Sequence, residues 1–196
     1  AVKVALKRRE KENNIDAEYN YFLSVIFDER QLHILPYNRI LLESNEKSIE
    51  EIIDLISENF DMKESPILEE IKDRHEFGML INDKFFILRA KENVLAGVEG
   101  DSIKSLDVSI LQDMVLDPIF GIKDPRTDER IKFAGGIRGV SYLKSELDSG
   151  NGVVAFLMHP TSMEELFAVA DDNKLMPPKS TWFEPKLRSG IFIHEI

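Results

Sequence analysis

The stretch GNGVVAFLMHPTSMEELFAVA, residues 150–170, decides the fold. Val153 to Met158 form an unbroken apolar run, which suits a strand covered on both faces. Gly150 and Gly152 punctuate the way in. Pro160 and Thr161 end the run, and Glu164 follows Thr161 at the spacing of a capping box, so a helix opens there. Met163, Leu166, Phe167 and Ala170 then make one apolar stripe on that helix.

Upstream, Ile131 to Phe133 reads as a short strand that meets Gly135-Gly136, and a helix is expected from about Gly139 to Leu147. Downstream, Ser189 to Ile196 is expected to return as a final strand. The order is therefore β-α-β-α-β. The first part is richer in hairpins. Tyr21–Phe27 and Leu32–Leu35 flank the polar break Asp28-Glu29-Arg30, and Phe77–Ile81 and Lys84–Arg89 flank Asn82-Asp83. Between the two pairs, Ser48 and Glu51 form a capping box for a helix striped by Ile49, Ile52, Ile53, Ile56 and Phe60. Asp107 is expected to cap a helix carrying Ile110, Leu111, Met114 and Val115, which stops before Asp117-Pro118. The fold class is α+β, a mixed sheet with packed helices. Two lobes, 1–105 and 106–196, are a division the pattern allows, and 117–130 reads as an exposed loop.

The 196 residues are 43% hydrophobic, enough to bury a real core. No run of eighteen apolar residues is present, which argues against a membrane partner, and the first residues lack the apolar stretch of a signal peptide. The absence of cysteine removes disulfides, thiolate nucleophiles and thiolate-bound metals, and is compatible with a cytoplasmic location. A formal charge of -11 argues against nucleic acid as a partner, because phosphate backbones need a basic footprint. The basic start KVALKRREK is a local exception, readable as the charged outer face of a helix.

Lys179-Ser180-Thr181, within MPPKST, has the look of the end of a phosphate loop. Pro177 and Pro178 remove amide donors such a loop requires. Two readings stay open: a structural clamp anchored by Trp182 and Phe183, or a ligand-facing polar cluster. Gly135-Gly136-Ile137-Arg138-Gly139 is either a plain strand-to-helix turn or a place where amides approach an anion with Arg138 as charged partner. His159 ends the apolar strand before a helix N-terminus, where open α/β sheets often hold ligands and where a histidine can also simply close a strand. No histidine spacing fits a metal, and Asp171-Asp172 would hold magnesium only with a further ligand and a nucleotide phosphate. No catalytic triad can be assigned.

Four stretches carry a resemblance: LHILPYNRIL (32–41), FGMLINDKFFIL (77–88), LDVSILQDMVLDPIFGI (106–122) and VVAFLMHPTSMEELFAVADDNKLMPPKSTWFEPKLRSGI (153–191). Together they resemble the C-terminal half of a bacterial and archaeal family catalogued as DUF1015. The last stretch is the most specific. Members include free-serine kinases related to the ParB/sulfiredoxin-like fold, and some are called SpoOJ regulator. The family's LPTHR segment stands here as LPYNR, with Tyr37 and Asn38 where the family has threonine and histidine, so no reactive histidine is carried over. The resemblance implies a longer protein whose ParB-like N-terminal half, holding the catalytic acid, is this chain's missing partner. It implies phosphate transfer from ADP or ATP, with magnesium, to free L-serine or a similar small hydroxyl metabolite. His159, Lys179, Ser180 and Thr181 would complete the cleft from the C-terminal side, and the chain alone would be inactive. A non-catalytic domain for interaction, dimerisation (a homodimer) or regulation is the alternative.

Overall fold

The computed structural model describes residues 2–195. In chain order its helices are α1 (Val2–Glu12), α2 (Ile49–Asn59), α3 (Glu92–Ala96), α4 (Asp107–Leu111), α5 (Gly139–Asp148) and α6 (Met163–Asp171). Its strands are β1 (His33–Leu35), β2 (Tyr37–Leu41), β3 (Phe60–Ser65), β4 (Glu76–Ile81), β5 (Lys84–Ala90), β6 (Ile131–Gly135), β7 (Val154–Met158) and β8 (Trp182–Glu184). The chain divides into two compact units, 34–184 and a smaller one made of 1–33 with 185–196.

In the larger unit, two-residue alternation along the strands decides the layers. Phe77, Met79 and Ile81 of β4, Phe86 and Leu88 of β5, and Val154, Phe156 and Met158 of β7 share one core. Leu80, Phe85, Ala155 and Leu157 from the same strands belong to a second core, on the other face. The first core is closed by α2, α4 and Val169 of α6, and the second by Leu143, Val140 and Leu147 of α5. Every residue of β7 is buried, as its unbroken apolar run requires. The strand order is β3-β5-β4-β7-β2-β6, and each of the pairings is antiparallel. A separate two-stranded sheet joins β1 to β8.

The expected α+β architecture is present, with its early hairpin region and the later β6-α5-β7-α6-β8 order. The division at residue 105 falls inside the larger unit, whose sheet takes strands from both sides of it. The β4–β5 hairpin turns on Asn82 and Asp83, both at positive φ (48° and 61°), the signature of a type I′ turn. Ser48 and Glu51 form the expected capping box on α2.

Several local readings differ from the structure. The box on α6 uses Ser162 and Glu165, one residue later than expected, because the Thr161 hydroxyl is already committed to the Ser180 carbonyl at 3.1 Å. Val169 is the buried residue of that helix, while Phe167 and Ala170 are exposed. Asp107 does not cap α4; its carboxylate accepts the His75 backbone N–H and lies 3.0 Å from the His75 ring Nδ1. The last strand is Trp182–Glu184, with none over 189–195, and Ile196 lies outside the described residues.

The smaller unit contains α1, which buries none of its residues, and a 3-10 turn at Glu18–Asn20 that buries Tyr19. The Asn20 amide donates to the carbonyls of Asn14, Ile15 and Ala17, which ties the turn together. The hairpin expected over 21–35 is absent, since 21–28 forms no strand. Asp28 instead accepts both the N–H and the guanidinium of Arg30, a local bond that competes with a strand ladder.

Candidate anion-binding site

The polar pair Asn38-Arg39 interrupts an otherwise apolar strand, and alternation sends the two side chains to opposite faces of the sheet. Arg39 lies in the interior of the sheet, opposite Phe133 of β6 and Phe156 of β7. It projects toward the first core and is only 3% exposed. One guanidinium nitrogen donates to the Tyr37 carbonyl and another to the Lys179 carbonyl at 3.3 Å, while the group lies 5.7 Å from the centre of the Phe133 ring. No carboxylate lies within ion-pair distance of it among the described residues. Burial pushes the guanidinium down to about 10, and the charge of Asp107 pulls it back up. A buried cation with no carboxylate in contact among the described residues is costly to the fold, so its presence calls for a ligand or a compensating role.

Arg39 lines a cavity of about 500 Å³. One wall is the segment Gln112–Leu116, which continues α4 as a π-helix closed by the Asp117 N–H on the Gln112 carbonyl. Single π turns recur at functional sites, because the extra residue re-aims side chains. Here it presents Gln112, Asp113 and Leu116 to the cavity. Gln112 donates to the Ile122 carbonyl at 2.7 Å, and its Oε1 is buried with no partner among the described residues. Burial raises the Asp113 carboxyl, against the nearby charge of Lys104. Lys104, Lys123 and Arg126 stand on the lining, and Arg126 is held by Asp124 at 2.7 Å.

Pro177 and Pro178 close the same cavity, and this places the MPPKST segment. Lys179 sits at φ 56°, an uncommon conformation for a side chain with a Cβ, and turns its carbonyl to Arg39. Its ammonium lies 5.5 Å from the centre of the Tyr37 ring. Ser180 is buried and donates to the Pro177 carbonyl at 2.7 Å, and Thr181 precedes Trp182 on β8. The backbone of this segment is a clamp, and the clamp forms part of the cavity.

Arg138 and His159 are not brought to Arg39. Arg138 donates to the Tyr142 hydroxyl at 2.8 Å, and His159 lines a separate cavity on the other side of the sheet. Sequence reasoning missed Arg39 and Gln112. The signal available for Arg39 was a charged residue inside YNRIL, a strand otherwise suited to burial.

The arrangement is suited to an oxyanion: a planar buried guanidinium, lysines on the lining and apolar walls. The carboxylates present do not build a magnesium cage. Asp124 is occupied by Arg126, Asp172 is taken by Ser102 at 2.6 Å and Lys174 at 3.2 Å, and no three acidic or histidine side chains converge among the described residues. No helix among those residues is long and apolar enough to cross a membrane.

A family model described as a protein of unknown function, DUF1015, matches residues 1–109. This corrects the expectation that only the C-terminal half of that family is represented, chiefly by 153–191. The match falls on the N-terminal part of this chain. The late motifs are explained by local geometry: PTSMEE spans the start of α6, and MPPKST spans the turn closed by Ser180. The match also overturns the expectation that this chain's partner is its own missing N-terminal domain, since the family already occupies its first 109 residues. Among solved structures, a free serine kinase in complex with AMP is similar at TM-score 0.47 and 16% identity, over 82% of this chain and 58% of that chain. A mutant free serine kinase with ADP is similar at TM-score 0.44 and 17% identity, with the same coverage. A conserved hypothetical protein from Pyrococcus furiosus is similar at TM-score 0.45 and 16% identity, over 80% of this chain and 57% of that one. The chain thus spans less than two thirds of the length of these structures. No protein of curated function matches it. With more than half of its residues covered by the family model, the chain belongs to the DUF1015 family.

Proposed function

We propose that the Arg39 cavity binds the phosphate of a nucleotide, ADP or ATP, and that the protein uses it to phosphorylate a small hydroxyl metabolite, with free L-serine as the first substrate to test. The observation that supports this is the guanidinium of Arg39, buried beside a cavity with no carboxylate paired to it among the described residues. A phosphate would supply the missing negative charge, and Lys104 and Lys123 on the lining would hold its outer oxygens. Gln112 Oε1, lacking a partner among the described residues, is an acceptor for a ribose hydroxyl or an amino group of the same ligand.

The test is calorimetric titration of the protein with AMP, ADP and ATP, with and without magnesium, alongside Arg39→Met. Saturable binding that weakens at least about tenfold in the folded variant supports the site. Equal binding by both proteins rejects it. Phosphoserine formation with each donor is then measured. Binding without product from folded protein would keep the nucleotide site and remove serine as the acceptor.

A further inference from the structure

The run YFLSVIF, residues 21–27, contains no charged residue and no proline. Tyr21, Phe22, Leu23, Val25 and Ile26 are each more than half exposed, Ile26 at 91%. Aromatic and β-branched residues in such a row favour a strand. Yet Phe22 to Phe27 make no backbone hydrogen bond among the described residues. The backbone is extended where the run begins, at Tyr21 (φ -111°, ψ 160°), and just past its end, at Asp28 (φ -66°, ψ 134°). Exposed strand edges are usually guarded by charges or prolines, because unpaired N–H and C=O groups recruit another strand. This run has neither guard.

The order of residues in the run points to what pairs with it. Laid antiparallel on a second copy with Ser24 opposite Ser24, Tyr21 meets Phe27, Phe22 meets Ile26 and Leu23 meets Val25. Alternation keeps the members of each pair on one face, and aromatic pairs and aromatic–β-branched pairs are favourable across strands. A two-fold axis through Ser24 makes each contact occur twice. Charge permits the approach. Residues 1–33 and 185–196 hold eight lysines and arginines against seven acids, so the formal charge of -11 lies almost wholly on the larger unit. The exposed apolar side chains of two such runs amount to on the order of 1,000 Å², the size at which specific interfaces begin.

We infer that residues 21–27 are the interface of a two-fold dimer, in which two copies pair as antiparallel strands centred on Ser24. No residue of the run lines the Arg39 cavity, so the inference stands whether or not that cavity takes a nucleotide.

The experiment is sedimentation velocity of the whole chain over a range of concentrations, combined with cross-linking. Monomer and dimer are expected, in proportions that follow concentration. The chain has no cysteine, so Ser24→Cys introduces its only thiol. Mild oxidation should join that variant into a covalent dimer, since facing residues of an antiparallel pair stand about 4.5–5.5 Å apart between Cα atoms, within disulfide reach. Phe22→Cys should stay reduced, because this register sets the two copies of residue 22 four positions apart, about 14 Å. Ile26→Lys, at a position open to solvent in the single copy, should weaken the dimer by about tenfold or more. A chain that stays monomeric, one that assembles beyond a dimer, cross-linking of Phe22→Cys in preference to Ser24→Cys, or a dimer unchanged by Ile26→Lys would each overturn the inference.

Discussion

The guanidinium of Arg39 donates to the carbonyl of Lys179, 140 residues further along the chain, at 3.3 Å. That bond fastens the MPPKST turn to an interior strand of the sheet and fixes where the prolines close the cavity. It also leaves the positive charge of Arg39 facing neutral acceptors, so the group is hydrogen-bonded without being neutralised. A structural arginine is usually paired with a carboxylate when buried. Arg39 departs from that pattern beside a cavity, and this is what separates it from the other arginines of the chain.

Replacement of Arg39 by methionine should therefore separate function from stability. Burial lowers the guanidinium to about 10, which works against the charged form. An apolar side chain of similar length escapes that cost but loses the bonds to Tyr37 and Lys179. The expected outcome is a melting temperature equal to or above that of the parent, with nucleotide binding weakened. Thermal unfolding and calorimetry on the same sample check both. A large loss of stability would identify Arg39 as a structural group instead.

Much of the fold was legible because it rests on contacts close in sequence. The Ser48 box, the Asn82-Asp83 turn and the buried run of β7 each carry their cause within a few residues. The site was less legible for the opposite reason. Arg39 gains its meaning from Lys179, from Asp107 and from a π turn at Gln112, none of which its local sequence announces. The placement of β7 between β4 and β2 is likewise a matter of long-range pairing. The late motifs were readable as local structure, and they misplaced the family match because strand, cap and turn signals do not say where in a longer family they lie.

The β4–β5 turn offers a stabilising change. Asp83 holds φ 61° at the second turn position, where glycine is at ease and other residues are strained. Asp83→Gly should stabilise the protein by about 0.5–1 kcal/mol. The 3.4 Å contact with Lys144 that it removes is exposed and worth little. Urea unfolding should show a raised midpoint with an unchanged slope. A lowered midpoint would mean that the Lys144 contact or the aspartate itself supports the turn.

The Asp124–Arg126 pair makes a pH prediction on the cavity lining. Hydrogen bonds from the Arg126 guanidinium, then from its backbone N–H, hold the Asp124 carboxyl down to about 2 from 3.8. Because the folded value lies below the unfolded one, the pair's support for the fold is present above pH 3.8 and is lost as pH falls toward about 2. Carboxyl NMR titration should find Asp124 near that value in the parent and higher, toward an ordinary aspartate, in Arg126→Gln, which keeps only the backbone N–H bond. Identical midpoints in the two proteins would refute the pairing.

Gly135 at the end of β6 tests how the clamp is seated. A Cβ built there would overlap the ring atoms of Trp182, so the ring lies directly on the glycine backbone. Trp182 also meets the edge of Tyr37, with ring centres 5.2 Å apart. Gly135→Ala must push this ring outward, and overpacking of this kind costs about 1–3 kcal/mol. Trp182 is the only tryptophan in the chain, so its fluorescence reports the displacement without interference. The emission should shift to the red as the ring moves toward water. Lys179 lies three residues before Trp182, so its carbonyl should also move from Arg39, and phosphate-ligand affinity should fall with the fluorescence change. An alanine variant with unshifted emission and full stability would show that Trp182 does not pack on β6.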